Sequence, residues 1–406
     1  MQTASRFIVV AGIALGCVSM MYFLSLVLHV SFFITVLFIV AAVLLLVRWT
    51  DSATSGKEAP AQFPAWTLAV LAIGTTILVQ RSYPLALKHG GWDAWAFWNL
   101  HTKYLADPAH WSKYLTNPNT NGDHPDYPLL LPACQAFLIR LAGGNGYTLV
   151  PFIFGFSITL FIPVLIYLEA VQKNIVVAVL VLLLFAQNTF YLYSGTSQYA
   201  DVPLAFFFLC ALVCVNHVQE NKRNMVLTAA CLGCCCWTKN EGFILAGVFI
   251  LFNARTLFSR SNATYFISGL LVPGLVLMIF KSYYAPQNGM VSGQNVDTIK
   301  QLFMAGRYQL TYKYFVMMLN DKFYAIKIIF FGYLALCVFE RKWPDNQMLM
   351  LVGCMIAYLL VYVLSVEYLE WHLITSVDRL MLQLMPAMVY VISRKFSNAW
   401  FFTADQ

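Results

Sequence analysis

The stretch GWDAWAFW, residues 91–98, places one carboxylate among several aromatic side chains. Asp93 is the acid, and its neighbours along the chain include Trp92, Trp95 and Trp98. An aromatic belt at a membrane surface explains the rings but not the acid. Because a carboxylate beside apolar rings is poorly solvated, it accepts a proton more readily. Asp93 is therefore the first candidate for a general base, and the tryptophans are candidate substrate contacts.

A second polar stretch, NGDHPDYPLLLP, covers residues 121–132. Its three prolines break regular helix and favour a rigid turn. Two interpretations stay open: the stretch simply starts a helix, or it holds His124 and Asp126 beside Asp93. In the second case these side chains, with Tyr127, orient a substrate or bind a cation.

Two further motifs follow, SQYADVPLAFF and WTKNEG. Asp201 in the first either caps the helix that follows it or makes an acidic contact to a sugar or an acceptor. Lys239 and Glu241 in the second interrupt apolar sequence. They form either a salt bridge that closes a hairpin or a site where the lysine meets a lipid-linked phosphate and the glutamate meets substrate.

The last polar stretch, EYLEWHLITSVDR, precedes the final apolar run. Arg379 either snorkels to the membrane surface or clamps a phosphate with two donors, and Asp378 beside it either neutralises it or takes part. His372 is a candidate substrate contact. Lys281, at the end of an earlier apolar run, is a third candidate cation for a donor phosphate, with Lys239 and Arg379.

Composition indicates what must position these residues. The chain is 60% hydrophobic and only 11% charged, whereas soluble domains carry roughly 25% charged residues. The apolar runs are long enough for membrane-spanning helices, so we predict an all-α, polytopic transmembrane bundle with short surface helices in a large extracytoplasmic loop. We predict about twelve spans, near 7–28, 31–47, 63–80, 147–168, 175–194, 200–217, 225–238, 241–253, 263–283, 323–340, 346–366 and 379–393.

We expect a single membrane-embedded domain. Its parts are N-terminal spans 1–80, the extracytoplasmic loop 81–146, central spans 147–283, a second outer loop 284–322 and C-terminal spans 323–406. Basic residues are densest in the short turns that lie inside if the N-terminus is cytoplasmic. In that orientation every candidate polar residue named above falls on the outer face. The net charge of +7 needs only a membrane surface and no nucleic acid.

Taken in order, GWDAWAFW, HPDYPLLLP, YADVPLAFF, TKNEG and TSVDR resemble the motifs of the GT-C superfamily of membrane glycosyltransferases. Bacterial aminoarabinose transferases and protein O-mannosyltransferases are members of that superfamily. The likeness extends from about residue 85 to residue 386. One departure is that about two additional spans precede the helix leading to Asp93, so family elements cannot be numbered by position alone.

The resemblance implies an inverting glycosyltransferase that moves a sugar from a polyprenyl- or dolichyl-phosphate carrier to a hydroxyl acceptor. The acceptor is a glycolipid, polysaccharide or protein of the cell envelope, met at the extracytoplasmic face of a bacterial inner membrane. Asp93 would be the general base and the three cations would bind the donor phosphate. A divalent cation, Mg²⁺ or Mn²⁺, is compatible with the acids, but no ligand spacing demands a metal site.

Two other functions remain open from the residues alone. A secondary transporter of a polar or anionic solute would place its polar groups near the bilayer midplane on broken helices. An unrelated polysaccharide polymerase or ligase would use similar lipid donors but depend more on arginines or histidines of the outer loops.

Overall fold

Each predicted apolar run folds into a helix in the computed structural model, which describes residues 1, 3–51, 64–116, 124–285, 294 and 296–399. Helix makes up 81% of the structure, and the described residues contain no strand. The first nine helices are α1 (Thr3–Val27), α2 (Phe32–Asp51), α3 (Ala65–Ser82), α4 (Asn99–Ala106), α5 (Trp111–Leu115), α6 (Leu130–Leu141), α7 (Leu149–Ala170), α8 (Ile175–Gln187) and α9 (Thr189–Thr196). The others are α10 (Asp201–Asn216), α11 (Arg223–Thr238), α12 (Glu241–Leu257), α13 (Ala263–Tyr283), α14 (Val296–Lys300), α15 (Ala305–Asp321), α16 (Tyr324–Phe339), α17 (Asn346–Val363) and α18 (Leu369–Ser397). The all-α prediction is confirmed.

When helix length and composition are the criteria, the structure has fewer membrane spans than the twelve we predict. Six helices of the described chain are long and apolar enough to cross a membrane, or up to eight if each bent pair is one span. Three predicted spans fall short because α10 and α11 have 16 residues each and α12 has 17. Such helices are about 24–26 Å long at 1.5 Å per residue, less than the roughly 30 Å hydrocarbon core. The multi-pass class holds, whereas the count of twelve is not confirmed.

Helix α10 is the centre of the bundle. All of its residues from Asp201 to Cys214 are buried, and it packs against α7, α11 and α18. A helix that is apolar on every face belongs inside a bundle. Its first residue, Asp201, is therefore carried into the interior, and the surrounding helix ends supply its partners.

The loop before the central helices is packed into the fold. Most of α6 is buried, where it contacts α1 and α4. The Tyr22 hydroxyl of α1 donates to the Leu105 carbonyl at 2.7 Å, and the Ser19 hydroxyl donates to the Leu129 carbonyl at 3.2 Å. Helix α6 of the loop is thus packed against α1 and α4, with most of its residues buried.

Candidate active site

A network of acids and cations occupies the buried end of α10. Asp201 is fully buried, and Lys239 Nζ lies 2.9 Å from its Oδ1. Arg379 bonds its Oδ2 through Nε and through Nη2, each at 3.0 Å. Gln383 Nε2 donates to Oδ1 at 2.6 Å. Both carboxylate oxygens already accept hydrogen bonds from the protein, so Asp201 offers no accessible atom for the expected sugar or acceptor contact. Its side chain does not cap α10 either.

Asp93 joins this network at its edge. Its Oδ2 forms an ion pair with Arg379 Nη2, the same nitrogen that bonds Asp201. The side chain of Asp93 is 12% exposed, and its other oxygen has no hydrogen-bond partner in the described chain. Asp93 therefore has a guanidinium beside one oxygen, in addition to its aromatic neighbours along the chain, and its other oxygen is open.

Backbone geometry brings Asp93 and Asp201 together. The Gly91 N–H donates to the Ser197 carbonyl at 2.9 Å. Gly90 has φ +78°, and a Cβ there would overlap the Ala94 side chain. After Asp93 the chain makes a π-helical turn over Ala94–Trp98, a distortion often seen at functional sites. The two motifs therefore pack backbone to backbone, which sets the separation of their acids.

The three predicted tryptophans divide into two groups. Trp92 and Trp95 are 65% and 51% exposed and contact each other edge to face, with ring centroids 4.4 Å apart. They form an exposed aromatic rim beside Asp93. Trp98 is fully buried and stacks on Tyr127, with centroids 5.3 Å apart. Trp98 therefore supports Tyr127 and presents no face to a ligand, contrary to the expected contact.

The proline-rich turn packs next to Lys239. The Tyr127 ring stacks on exposed His124, with centroids 5.1 Å apart, and Lys239 Nζ lies 5.8 Å from the Tyr127 centroid. His124 has a positive φ of 50°, a conformation that costs energy for a non-glycine residue. The turn therefore places the Tyr127 ring between His124 and Lys239, and α6 begins after it at Leu130.

Lys239 and Glu241 form the predicted salt bridge, at 2.8 Å. Although burial disfavours its charged form, the carboxylates of Asp201 and Glu241 raise the pKa of Lys239 well above its usual range. Because Lys239 is held between two acids and is only 3% exposed, the expected direct phosphate contact does not fit it. Glu241 Oε2 is buried and has no hydrogen-bond partner among the residues that the structure describes, so it can accept a bond from a ligand.

The third cation has different partners. Lys281 Nζ donates to the Asp126 carbonyl at 2.6 Å and to Asn240 Oδ1 at 2.8 Å. Asn240 Nδ2 in turn donates to Asp126 Oδ2 at 2.7 Å. Both of these Lys281 bonds go to neutral oxygens, and an ammonium has three protons. Lys281 can therefore bind an anion without first leaving a carboxylate.

His372 is placed through a separate chain of hydrogen bonds. Its Nδ1 lies 2.8 Å from the Ser365 hydroxyl, and its ring packs on Tyr362 with centroids 4.7 Å apart. The Tyr362 hydroxyl bonds Ser376 at 2.9 Å. His372 is thus near the network but is not bonded to its acids or cations.

Three polar neighbours were not found by sequence reasoning. Gln383 links Asp201 to the Tyr358 hydroxyl, which donates to Gln383 Oε1 at 2.6 Å. Tyr199 lies under the Arg379 guanidinium, 5.0 Å from the ring centroid, and burial together with Asp93 raises the pKa of Tyr199 to about 12. Asn240 and Tyr199 stand inside quoted motifs, so proximity to a charged residue was their only signal.

Within the described ranges, no three His, Cys, Asp or Glu side chains meet closely enough to hold a metal ion. The acids instead meet cations: the network contains three carboxylates, on Asp93, Asp201 and Glu241, and two cations, on Lys239 and Arg379. Three negative and two positive groups leave the network with an excess of one negative charge.

The structure is thus a multi-pass helical bundle in which acids and cations from several helix ends meet in one buried cluster. Residues 147–279 match the family model of dolichyl-phosphate-mannose-protein mannosyltransferases. The match covers about a third of the chain and supports the predicted resemblance to GT-C glycosyltransferases, which depend on a lipid-phosphate sugar. The matched segment includes Asp201, Lys239 and Glu241. No curated protein and no solved structure matches the chain.

Proposed function

We propose that the chain is an inverting glycosyltransferase in which Asp93 is the general base. The observation that carries this proposal is the position of Asp93. Two acids of the network keep an unbonded oxygen among the described residues: that of Glu241 is buried, whereas the side chain of Asp93 is partly exposed. The exposed rim of Trp92 and Trp95 lies next to it, where aromatic faces suit the apolar C–H face of a sugar.

The reaction follows from these positions. The acceptor hydroxyl gives its proton to Asp93 while its oxygen attacks the anomeric carbon of the donor sugar. The bond from that carbon to the phosphate oxygen breaks, and its electron pair leaves with the polyprenyl phosphate. Attack opposite the leaving group inverts the anomeric configuration. Positioned proton transfer of this kind contributes typically 10²–10⁴-fold.

Arg379 connects the two halves of the reaction. Its guanidinium pairs with both Asp93 and Asp201. When Asp93 becomes protonated it loses its charge, and its hold on Arg379 weakens. The guanidinium is then available to the phosphate at the moment that the phosphate gains charge, alongside Lys281. Asp201 keeps Arg379 in place throughout.

We infer the remaining substrate contacts from the open groups. Glu241 Oε2 accepts from a substrate hydroxyl, and Asp126, Tyr127, His124 and His372 surround the same region as further contacts. We place the site at the extracytoplasmic face of a bacterial inner membrane, because the density of basic residues in short turns favours a cytoplasmic N-terminus. The acceptor is a hydroxyl of a cell-envelope glycolipid, glycan or protein.

The test is transfer of radiolabelled sugar from polyprenyl-phosphate donors, with wild type and Asp93→Asn compared in membranes at equal protein. We expect Asp93→Asn to lower transfer about 10²–10⁴-fold. Asp107→Asn is the matched control, because Asp107 is an acid of the same loop whose partners are His110 and Tyr114 and not the network. We expect that control to retain transfer.

Normal transfer by well-folded Asp93→Asn would refute the base assignment. The configuration of the product sugar, read by NMR, tests inversion independently. Solute flux through proteoliposomes without glycosyl transfer would favour the transporter instead.

A further inference from the structure

A cleft of about 420 Å³ that is lined by both polar and apolar side chains lies where two helices break. Helices α8 and α9 bend by 68° at Asn188, and α15 and α16 bend by 98° around Lys322. The Asn188 side chain donates to the Lys322 carbonyl at 3.3 Å, which ties the two bends together. The cleft is within the usual range for small-ligand sites, about 300–1,000 Å³.

The cleft walls carry polar groups that are free to bind. The side chains of Gln187, Thr189, Tyr193 and Asp321 line it, and none of them makes a hydrogen bond within the part of the chain that the structure describes. Together they offer an amide, two hydroxyls and a carboxylate next to an aromatic ring. A sugar has a hydroxyl edge that bonds such groups and a C–H face that packs on a ring.

The charged side chains of the cleft indicate which class of ligand it binds. Lys322 lies in the cleft but is ion-paired with Asp378 at 3.2 Å, and its Nζ stands over the Phe190 ring, 4.4 Å from the centroid. Among the residues that the structure describes, Asp321 is therefore the charged group of the lining that has no ion pair. A negative cleft repels phosphate, which the donor sugar carries at its anomeric carbon, and it accepts a neutral hydroxylated ligand.

A series of side-chain contacts connects the cleft to Asp93, the proposed general base. Tyr193 contacts Tyr199 edge to face, with centroids 6.5 Å apart, and Tyr199 lies under Arg379, which pairs with Asp93. A ligand in the cleft is thus separated from the network by two tyrosine rings. We propose that the cleft is a subsite for a neutral saccharide unit of the acceptor, an assignment that rests on the transfer function proposed above.

The first experiment tests the ligand class without any donor. The full chain in nanodiscs is titrated with methyl α-mannopyranoside and with mannose 6-phosphate. We expect the neutral glycoside to bind about fivefold tighter, and Asp321→Asn to reduce this preference. Thr189→Trp, which fills the cleft, should abolish binding, whereas Thr264→Trp, at an exposed threonine near the start of α13, should not. Binding that Thr189→Trp leaves intact, or tighter binding of the phosphate, overturns the proposal.

The second experiment separates acceptor from donor. With Thr189→Trp we expect transfer to the membrane acceptor to fall at least about tenfold, while binding of radiolabelled polyprenyl-phosphate sugar to the purified chain stays at the wild-type level. Parallel loss of donor binding would place the donor sugar in the cleft and overturn the acceptor assignment. A wild type that transfers nothing would refute the proposed function, and the titration would still decide whether the cleft binds saccharide.

Discussion

Replacing Asp201 with asparagine should destabilise the bundle more than any other charge change in the network. Asp201 is fully buried and accepts bonds from Lys239, Arg379 and Gln383. Asparagine keeps the shape but has one acceptor oxygen and a donor amide. At least one of the three donor groups is then left without an acceptor, and both cations lose a carboxylate.

The magnitude follows from what each cation retains. Removing one partner of a buried ion pair typically costs about 3–5 kcal/mol. Lys239 keeps Glu241 at 2.8 Å and Arg379 keeps Asp93, so neither charge becomes isolated. We therefore expect a cost near the lower end, about 3 kcal/mol, in the free energy of unfolding.

Thermal and denaturant unfolding of purified protein in detergent micelles would measure this loss, with Asp107→Asn as the control. Asp107 is 39% exposed and pairs with His110 at 3.1 Å, so its replacement should cost less than about 1 kcal/mol. Adding Lys239→Met to Asp201→Asn should cost less than the sum of the two single changes, because the pair is coupled. Equal unfolding midpoints for Asp201→Asn and Asp107→Asn would refute the reasoning.

Three further predictions concern the donor, the backbone and pH. Lys281→Met should raise the KM for the lipid-phosphate donor about tenfold with a smaller change in kcat, whereas Lys281→Arg should keep the donor KM near the wild-type value. An unchanged donor KM of Lys281→Met in steady-state kinetics would contradict the assignment. Gly90→Ala should destabilise the fold by about 1–3 kcal/mol more than Gly143→Ala, since both glycines have positive φ but a Cβ at Gly143 meets nothing; equal unfolding midpoints would exclude the steric effect. His217, at the far end of α10, lies 2.8 Å from Glu169; burial opposes its charge, but Glu169 raises its pKa above the usual 6.5. Because the folded pKa is the higher one, the stabilisation is complete below pH 6.5 and is lost as pH rises through the folded value. The difference in unfolding midpoint between wild type and His217→Gln should therefore become smaller from pH 6 to pH 9. A constant difference would contradict the proposed stabilisation by protonated His217.

The sequence indicated charged residues that meet in the folded bundle, but it left their partners open. Asp201, Lys239 and Arg379 were each selected because charge is rare in apolar sequence, and they do lie together. For each of them the sequence allowed either a structural role, as helix cap, salt bridge or snorkelling cation, or a contact to sugar or phosphate, and the structure pairs them with one another. A charge buried in a bundle must be paired, but sequence does not say whether its partner is substrate or protein.

The sequence by itself determined the class of this protein. Twenty-residue apolar runs leave membrane helices as the stable fold, since each helix satisfies its own backbone hydrogen bonds, and a few isolated charges indicate where chemistry takes place. Only the tertiary structure decided which acid is open and which is closed. Asp93 and Asp201 are both single aspartates next to aromatic sequence, yet packing of α10 fills both oxygens of Asp201 and leaves one of Asp93 free. That difference depends on Arg379 and Gln383 of α18, about 180 residues from Asp201 along the chain. Sequence alone does not show this, because α10 and α18 meet only in the folded bundle.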